Sequence, residues 1–211
     1  MTNMLAHRVM APLSNKGESW PILVLLHGMG TNEEDLLPLQ PYLAPDWGLV
    51  TVRAPYSVGP SQYQWYRLME LGKPDLESLA ASLDHVVEFL SKLPLVVPQA
   101  NLKQVVVGGF SQGGLVSAAL LQRKLPLSLK GSVVLSGYLP QTVILDRPLQ
   151  GHPVFWGHGE KDMVLSVDWG KHGVSRLTTL GAAVEFHTYP SMGHSVNDQE
   201  LADLSDWLNR R

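Results

Sequence analysis

The sequence predicts an α/β fold in which a mostly parallel central sheet is covered by helices on both faces. Short, almost continuous apolar runs, typical of strands buried on both faces, alternate with longer stretches in which apolar residues recur at helical spacing. Alternation of this kind requires parallel strands joined by helical crossovers. In such sheets ligands bind beyond the carboxyl ends of the strands, so chemistry is expected just after each strand.

Six apolar runs predict the strands of the sheet, and one further segment predicts an edge strand. The clearest run, PILVLLH, ends directly before a glycine. The predicted strands cover residues 21–27, 48–53, 103–108, 131–135, 153–156 and 184–189, with the edge strand over residues 4–10.

Helical patterns fall between and after these strands, over residues 75–93, 113–123, 168–180 and 199–208. In the first, apolar residues repeat close to every 3.6 positions, Asp75 suits the helix start, and Pro94 is expected to end the helix. Asn32 and the three acidic residues that follow it are expected to begin another helix. A metal site in that acidic run is the alternative.

Length and composition limit the classes of function that this chain can have. A chain of 211 residues supports one sizeable core, so we expect a single domain over residues 1–211. Hydrophobic residues make up 45% and charged residues 17%, as in soluble globular proteins. The net charge is −3 and the 16 Lys and Arg are scattered, so nucleic acid is not expected as a partner. The absence of cysteine excludes disulfides and thiolate chemistry.

No segment predicts targeting or membrane insertion. Residues 1–12 lack the apolar run of a signal peptide, and nowhere do about 18 consecutive apolar residues occur. We therefore expect no membrane span and a cytoplasmic location. No cofactor and no metal are expected, and a homodimer is a possible assembly.

A nucleophile motif follows the strand predicted over residues 103–108. Residues 109–113 (GFSQG) fit G-x-S-x-G, with a Val-rich strand before and a small-residue helix after. The sharp turn exposes the Ser111 hydroxyl above the sheet, and glycines two before and two after it prevent clashes. One alternative is that the serine is incidental to a glycine-rich turn. Another is that the glycines bind a phosphate, but the segment lacks both the G-K-[ST] ending of a P-loop and the glycine spacing of a dinucleotide-binding motif. The motif predicts Ser111 as nucleophile of an α/β-hydrolase fold.

His194 is the candidate base. A serine hydroxyl needs a base that is oriented by an acid, and in this fold the chain order is Ser, acid, His. His194 lies in a turn-like loop between the last predicted strand and the last helix. His187 lies inside that strand, and His172 lies in mid-helix, where a solvated face is expected. His152 and His158, just before these three histidines in the chain, are the remaining candidates.

Asp162 is the candidate acid. It follows the strand predicted over residues 153–156, in a glycine-rich segment that can direct a carboxylate toward the neighbouring loop. Glu160 and Asp146 are the rivals, whereas Asp168 suits a helix N-cap. His158 is expected to brace the loop of the acid.

Backbone N–H groups are expected to stabilise the oxyanion of acyl transfer. One donor should be Gln112, the residue after the nucleophile, and the other Met29, in the loop after the first core strand. Gly28 and Gly30 allow that loop to turn inward. His27 is expected to hold the loop by a side-chain hydrogen bond.

Four segments together resemble the phospholipase/carboxylesterase family of small α/β-hydrolases, which includes the acyl-protein thioesterases and bacterial carboxylesterases. They are LHGMG at 26–30, GFSQGG at 109–114, GHGEKD at 157–162 and MGH at 192–194. The resemblance extends over residues 9–208. It implies Ser111, Asp162 and His194 as the triad, and Met29 and Gln112 as oxyanion donors. The segments at 53–56 and 64–66 are more similar to the bacterial esterases.

The substrate side of the site is expected to be open. The stretch over residues 136–152 is too short for a substantial lid, and an aromatic-rich segment over residues 55–72 is expected to form a wall. Within it, Trp65 and Tyr66 are the predicted substrate-binding residues, with core packing as the alternative for Tyr66. No pair of basic residues is placed to bind a carboxylate or phosphate, and Arg53 is the single candidate.

The sequence therefore predicts a serine carboxylesterase that acts on small-molecule esters with short to medium acyl chains. Lysophospholipase or acyl thioesterase activity is the nearest alternative, because the same triad serves both. A binding protein that has kept this fold without its chemistry is the alternative from another class, although such proteins usually lack a triad residue.

Overall fold

The computed structural model describes residues 4–14 and 17–211. Its strands are β1 (His7–Met10), β2 (Trp20–Leu26), β3 (Gly48–Val52), β4 (Tyr56–Gly59), β5 (Gln62–Gln64), β6 (Leu68–Glu70), β7 (Lys73–Pro74), β8 (Ala100–Phe110), β9 (Gly131–Leu135), β10 (Pro153–Gly159) and β11 (Ala183–Tyr189). Its α-helices are α1 (Leu76–Ser91), α2 (Leu93–Val96), α3 (Gln112–Leu120), α4 (Val167–Thr179) and α5 (Asp198–Asn209), and a 3-10 helix spans Leu37–Tyr42. No helix in the described ranges is long and apolar enough to cross a membrane.

Seven of these strands form the central sheet, in the order β1-β3-β2-β8-β9-β10-β11. Every neighbouring pair is parallel except β1 with β3. Parallel strands place their carboxyl ends at one edge of the sheet, and the nucleophile motif, the acid loop and the histidine loop all follow strands at that edge. The predicted α/β-hydrolase fold, with its mostly parallel sheet, is confirmed.

The sheet separates two hydrophobic cores. Along β2, Ile22 and Val24 pack with α1 and α3 on one face, whereas Leu23 and Leu25 pack with α5 on the other. All four side chains are fully buried, which explains why this strand is a continuous apolar run rather than an alternating one. Helices therefore cover both faces, as predicted.

The region before β3 differs from the prediction. No α-helix begins at Asn32; the chain makes turns and then the 3-10 helix over Leu37–Tyr42. Pro38 and Pro41 lie in that helix, and without an N–H neither can donate an α-helical hydrogen bond. The Asn32 side chain instead accepts a hydrogen bond from the Glu34 N–H at 2.9 Å, within a turn.

Several further element boundaries and two hairpins also differ from prediction. The edge strand β1 covers only the last four of its seven predicted residues. Strand β10 continues to Gly159 because residues 157–159 pair with residues 187–189 of β11. Helix α1 ends at Ser91, and Pro94 lies in the first turn of α2 rather than serving as the stop. The hairpins β4–β5 and β6–β7 lie in a segment with no predicted strand.

A carboxyl group lies buried between α5 and the sheet. Glu200 is fully buried, and neither of its carboxyl oxygens has a hydrogen-bond partner among the described residues. A Cβ atom on Gly157 would lie 2.0 Å from Glu200 Oε1, so the carboxyl packs directly on the backbone of β10. Burial, with a smaller contribution from Asp203, raises the pKa of Glu200 to about 8. Glu200 is therefore protonated in the folded protein at neutral pH.

The raised pKa of Glu200 predicts that stability falls as pH rises. Between the ordinary carboxyl pKa of 4.5 and the folded value of about 8, the unfolded chain releases a proton that the folded chain keeps. The free energy of unfolding should then fall by at most about 1.4 kcal/mol per pH unit in that window. Urea unfolding at several pH values should show a shallower fall in Glu200→Gln than in the wild type.

The control for this experiment is Asp198→Asn, which removes an exposed carboxyl from the same helical turn and should leave the pH dependence as it is. Equal slopes in the wild type and Glu200→Gln would show that Glu200 is ionised in the folded protein.

Candidate active site

Ser111 lies in the sharp turn between β8 and α3, with φ 54° and ψ −113°, a conformation that is uncommon for a residue with a side chain. The two flanking glycines are required by close packing. A Cβ atom on Gly113 would lie 2.0 Å from the Leu26 carbonyl oxygen, and one on Gly109 would lie 2.3 Å from the carbonyl carbon of Gly113. The motif therefore has the structural context that its spacing predicts.

A chain of hydrogen bonds joins the three residues predicted as the triad. His194 Nε2 lies 2.9 Å from Ser111 Oγ, and His194 Nδ1 lies 2.7 Å from Asp162 Oδ2. With the proton on Nδ1, the imidazole donates to the carboxylate and accepts from the hydroxyl. The Asp162 side chain is fully buried, whereas 17% of the His194 side chain is exposed. The structure thus brings together three residues that are 83 and 32 positions apart in the chain.

The loop after β10 fixes the carboxylate of Asp162. Its Oδ1 accepts hydrogen bonds from the N–H groups of Val164 at 2.9 Å and Leu165 at 2.7 Å. His158 Nε2 in turn donates to the Leu165 carbonyl at 2.8 Å, so His158 braces this loop, as the sequence suggests. Burial lowers the pKa of His158, which keeps the ring neutral beside the triad.

The rival acids have other partners. Glu160 Oε1 accepts a hydrogen bond from the Thr188 hydroxyl at 2.8 Å. Asp168 is not an N-cap; Ser166 caps α4, and its hydroxyl oxygen accepts from the Asp168 N–H. The Asp146 backbone N–H donates to a glutamine side chain 24 residues away. None of these three carboxylates lies within hydrogen-bond distance of His194 among the described residues.

The other histidines of this region also lie elsewhere. His152 Nε2 is 3.1 Å from the Ser132 hydroxyl, and His187 Nε2 is 3.1 Å from a carboxylate oxygen of Glu185. His172 is exposed on α4. Of the five candidates, the structure places only His194 next to Ser111.

Two backbone N–H groups are unpaired beside the nucleophile. The N–H groups of Met29 and Gln112 donate to no atom of the described chain, and Gln112 is the first residue of α3, where helical N–H groups have no partner. A Cβ atom on Gly28 would lie 3.6 Å from the Cβ of Ser111, so the loop that carries Met29 lies alongside the nucleophile. These are the two donors that the sequence predicts.

His27 holds this loop through both ring nitrogens. Its Nδ1 lies 2.6 Å from the Gly28 carbonyl, and its Nε2 accepts from the Ala54 N–H at 3.0 Å. Burial lowers the pKa of His27, which favours the neutral ring that this pattern needs. The Gly30 N–H donates to the Tyr63 carbonyl at 2.8 Å and fixes the far end of the loop.

Trp65 and Tyr66, which the sequence predicts to bind the substrate, belong to the hydrophobic core in this structure. Both side chains are fully buried. The Trp65 indole N–H donates to the His27 carbonyl at 2.9 Å, and the Tyr66 hydroxyl lies 3.0 Å from that of Tyr138. The aromatic rings face the core because the backbone of this segment is held from the other side by polar side chains.

The side chain of Gln112 is one of these polar groups, and the sequence gives no direct signal for its role. Its Oε1 accepts from the Trp65 N–H at 2.9 Å, and its Nε2 donates to the Tyr66 carbonyl at 3.0 Å. The Ser82 hydroxyl donates to the Trp65 carbonyl. The residue after the nucleophile therefore ties the 65–66 segment to α3.

Arg53, the candidate ligand for a carboxylate or phosphate, is already engaged. Its Nε and Nη2 atoms lie 2.5 and 2.6 Å from the two carboxylate oxygens of Glu33, which is fully buried. Burial alone would raise the pKa of Glu33, but the hydrogen bonds and charge of Arg53, a backbone hydrogen bond and the charge of Arg8 together outweigh burial and lower the pKa. The acidic run at 32–35 thus supplies an internal ion pair, and Arg53 is not free to bind a substrate anion.

The surroundings of the triad are open and partly apolar. Residues 136–152, between β9 and β10, form no helix, as expected for an enzyme without a lid. Met29 is 50% exposed and Met163, next to Asp162, is 94% exposed. Exposed apolar side chains therefore lie in the loop after β2 and next to the acid.

Comparison with known proteins gives a consistent class of hydrolase. Residues 9–211 match the family described as Phospholipase/Carboxylesterase. Acyl-protein thioesterase 1 of Debaryomyces hansenii is 32% identical over 156 residues, 69% of this chain and 66% of that protein. Acyl-protein thioesterase 1 of Cryptococcus neoformans is 28% identical over 244 residues, 99% of this chain and 98% of that protein. The crystal structure of the Bacillus cereus carboxylesterase superposes with a TM-score of 0.85 and 26% identity, covering 99% of this chain and 95% of that one.

The buried position of Trp65 predicts a structural role that can be measured. Trp65→Phe keeps most of the ring but leaves the His27 carbonyl without its donor, which should lower the free energy of unfolding by about 1–3 kcal/mol in urea titrations. The matched control is Trp156→Phe, since Trp156 is also fully buried but its indole N–H has no partner among the described residues. An unchanged stability of Trp65→Phe, with an altered preference for acyl length, would place Trp65 at the substrate after all.

Proposed function

The chain belongs to the phospholipase/carboxylesterase family of α/β-hydrolases and is an ester hydrolase of that class, and we propose that it cleaves short- to medium-chain acyl esters through an acyl-enzyme on Ser111. The observation that carries this proposal is the continuous hydrogen-bond chain from Ser111 through His194 to Asp162, at 2.9 and 2.7 Å. Ser-His-Asp arrangements of this geometry activate serine for acyl transfer on several unrelated folds.

The chemistry follows from the positions of the polar atoms. His194 Nε2 accepts the proton of the Ser111 hydroxyl as Oγ attacks the ester carbonyl carbon, and the new imidazolium donates to Asp162 through Nδ1. The tetrahedral intermediate then collapses, the bond to the alcohol breaks, and His194 gives its proton to the departing oxygen. Water attacks the acyl-enzyme by the same route, with His194 as base, and releases the acid.

Negative charge on the carbonyl oxygen is stabilised by main-chain groups. The N–H groups of Met29 and Gln112 are the donors in this proposal, and the N-terminus of α3 adds the positive end of its dipole. Donors of this kind contribute about 3–4 kcal/mol each to the transition state in related chemistry. Neither group has an internal partner among the described residues, so neither must be freed before reaction.

The preference for short to medium acyl chains is supported by the shape of the site. Without a helix between β9 and β10, no cover is available to enclose a long acyl chain. The exposed Met29 and Met163 side chains offer apolar contact at the rim of the site rather than a deep channel.

Thioester hydrolysis is the second candidate activity, and the similarity to acyl-protein thioesterase 1 of two fungi favours it. An acyl thioester presents the same carbonyl to Ser111, and its thiolate is a better leaving group than an alkoxide. Lysophospholipase activity would need only a substrate ester with a different alcohol as its leaving group. A non-catalytic binding protein is disfavoured, because Ser111 and Asp162 both lie within hydrogen-bond distance of His194.

The nucleophile is tested with a fluorophosphonate probe. We expect stoichiometric labelling of Ser111, no labelling of Ser111→Ala, and a loss of turnover by a factor of roughly 10⁴–10⁶ in that variant. Asp162→Asn should lose roughly 10⁴-fold, because the imidazole is no longer held in the correct tautomer. Ser195→Ala, which changes an exposed serine directly after His194, is the control and should be labelled normally. Ester turnover that survives Ser111→Ala would refute the mechanism.

Acyl preference is tested with p-nitrophenyl esters from acetate to palmitate, together with the octanoyl thioester of a small thiol. We expect kcat/KM to be highest between butanoate and octanoate and to fall toward palmitate, since the site lacks a cover for a long chain. A maximum at palmitate would overturn the proposed chain length. A thioester hydrolysed much faster than the octanoyl oxygen ester would favour the thioesterase alternative.

A further inference from the structure

A second feature lies at the same edge of the sheet as the triad. It is a cavity of about 460 Å³ between the β6–β7 hairpin, the loop after β9 and helix α4. None of the triad residues lines it. The loop follows β9, which lies between the strand that leads to Ser111 and the strand that leads to Asp162. One wall of the cavity, the loop after β9, therefore lies between the loops that carry Ser111 and Asp162.

The walls of the cavity are aromatic and closely packed. The rings of Tyr138 and Trp169 lie 5.8 Å apart at an angle of 47°. Gly72, which turns the hairpin with φ +79°, lies against the indole, because a Cβ atom there would be 2.7 Å from a Trp169 ring carbon. The hairpin is thus packed onto α4 on one side of the cavity, and the loop over residues 138–141 forms another side.

Arg176 lies at this cavity without a negatively charged partner. Its Nη1 donates to the Leu139 carbonyl at 3.2 Å and to the Pro140 carbonyl, and its Nη2 donates to the Val143 carbonyl at 2.7 Å. No carboxylate lies within 4 Å of the guanidinium in the described part of the chain. Burial lowers the pKa of Arg176, as expected for a cation that loses water and gains no counterion.

Part of the guanidinium remains available. A guanidinium has five N–H groups, and the Nε–H of Arg176 donates to no atom of the described residues, yet Nε is not among the buried unpaired atoms. Nε and Nη2 together form the planar edge that binds a carboxylate with two hydrogen bonds. The carbonyl bonds meanwhile hold the group in place, so little freedom would be lost on binding.

No acidic side chain in the rest of the lining offsets this charge. Lys73 and His172 are the other ionisable basic residues of the cavity, and no Asp or Glu lines it. The nearest carboxylates face outward: Glu70 pairs with Lys73 in an exposed ion pair, and Asp168 pairs with Lys171 on the surface of α4. The cavity therefore combines aromatic walls with a positively charged end.

We propose that this cavity binds a carboxylate carried by the ester substrate, with Arg176 as its ligand, so that the enzyme selects esters with an anionic group remote from the scissile bond. The inference rests on the proposed esterase function and adds a substrate class to it. The aromatic walls suit the apolar part between ester and carboxylate, and the guanidinium suits its charged end. Arg53, the candidate that the sequence offered for such a role, is occupied by Glu33.

The test compares p-nitrophenyl monoesters of linear dicarboxylic acids, from adipate to decanedioate, with the matching ω-carboxamides, which have the same length and no charge. In the wild type we expect kcat/KM to favour the carboxylate by at least about tenfold at the best chain length, from charge-assisted hydrogen bonds. Arg176→Gln should lose that preference while it hydrolyses the carboxamide within about threefold of the wild-type rate. Arg176→Lys should keep part of the preference.

The matched control is Arg123→Gln. Arg123 is also partly buried and also donates to a main-chain carbonyl, but it lies outside this cavity. The preference of the Arg123→Gln enzyme for the carboxylate ester should equal that of the wild type. Loss of the preference in Arg123→Gln as well would mean that overall charge, rather than Arg176, is responsible, and would overturn the assignment.

A measurement on the wild type alone keeps the proposal testable if Arg176→Gln is unstable through loss of its carbonyl bonds. Raising NaCl from about 20 mM to about 500 mM should reduce the carboxylate preference and leave carboxamide turnover nearly constant. A wild-type enzyme that hydrolyses the carboxamide and shows no carboxylate preference at any length would overturn this proposal and leave the esterase function intact. Failure to hydrolyse either series, with Ser111 unlabelled, would overturn both.

Discussion

The arrangement of this site depends on the close contact between the first turn of α3 and the end of β2. Only a glycine at position 113 allows α3 to approach the Leu26 carbonyl, and Ser111, in the turn directly before α3, has a positive φ. The Ser111 N–H is held at the same time by the Leu135 carbonyl of β9, at 2.9 Å. Strain of this kind costs roughly 1–3 kcal/mol and persists only where the surroundings fix it. Here the fully buried strands on either side of β8 fix it, so core packing determines where the hydroxyl points.

The acid and the base reach Ser111 from two strands further along the sheet, and their loops are fixed by a similar contact. Because β10 pairs with β11 as far as Gly159, the strand ends only three residues before Asp162. A Cβ atom on Gly159 would lie 2.3 Å from the Met192 carbonyl oxygen, two residues before His194, so the acid and histidine loops touch main chain to main chain. The 2.7 Å hydrogen bond between the two side chains is thus set by parallel register and a second glycine contact, with little freedom left in either loop.

The parts of this structure that could be predicted are those encoded locally. The strands are continuous apolar runs, and the Ser111 motif has its strand before it and its helix after it, so fold and triad follow from short segments and chain order. The burial of Trp65 could not be predicted in this way, because its partners Gln112 and His27 are 47 and 38 positions distant. Its polar sequence neighbours suggested exposure, yet long-range hydrogen bonds turn the ring inward. Arg176 has no local signal either, since an arginine late in an amphipathic helix is ordinarily a solvated residue.

The 65–66 segment is linked to the reaction centre through Gln112, whereas none of the triad residues lines the cavity beside α4. The main-chain N–H of Gln112 is the proposed oxyanion donor, while its side chain holds the backbone of the buried 65–66 segment, so this segment is tied to a residue of the reaction centre. Substitutions in the 65–66 segment would therefore disturb the reaction centre. The cavity beside α4 is different, because Arg176 donates to main-chain carbonyls of the 139–143 loop and none of the triad residues lines the cavity. Side chains in that cavity can change without altering Ser111, His194 or Asp162, and specificity for the remote part of the substrate is therefore expected to reside there rather than at the aromatic segment.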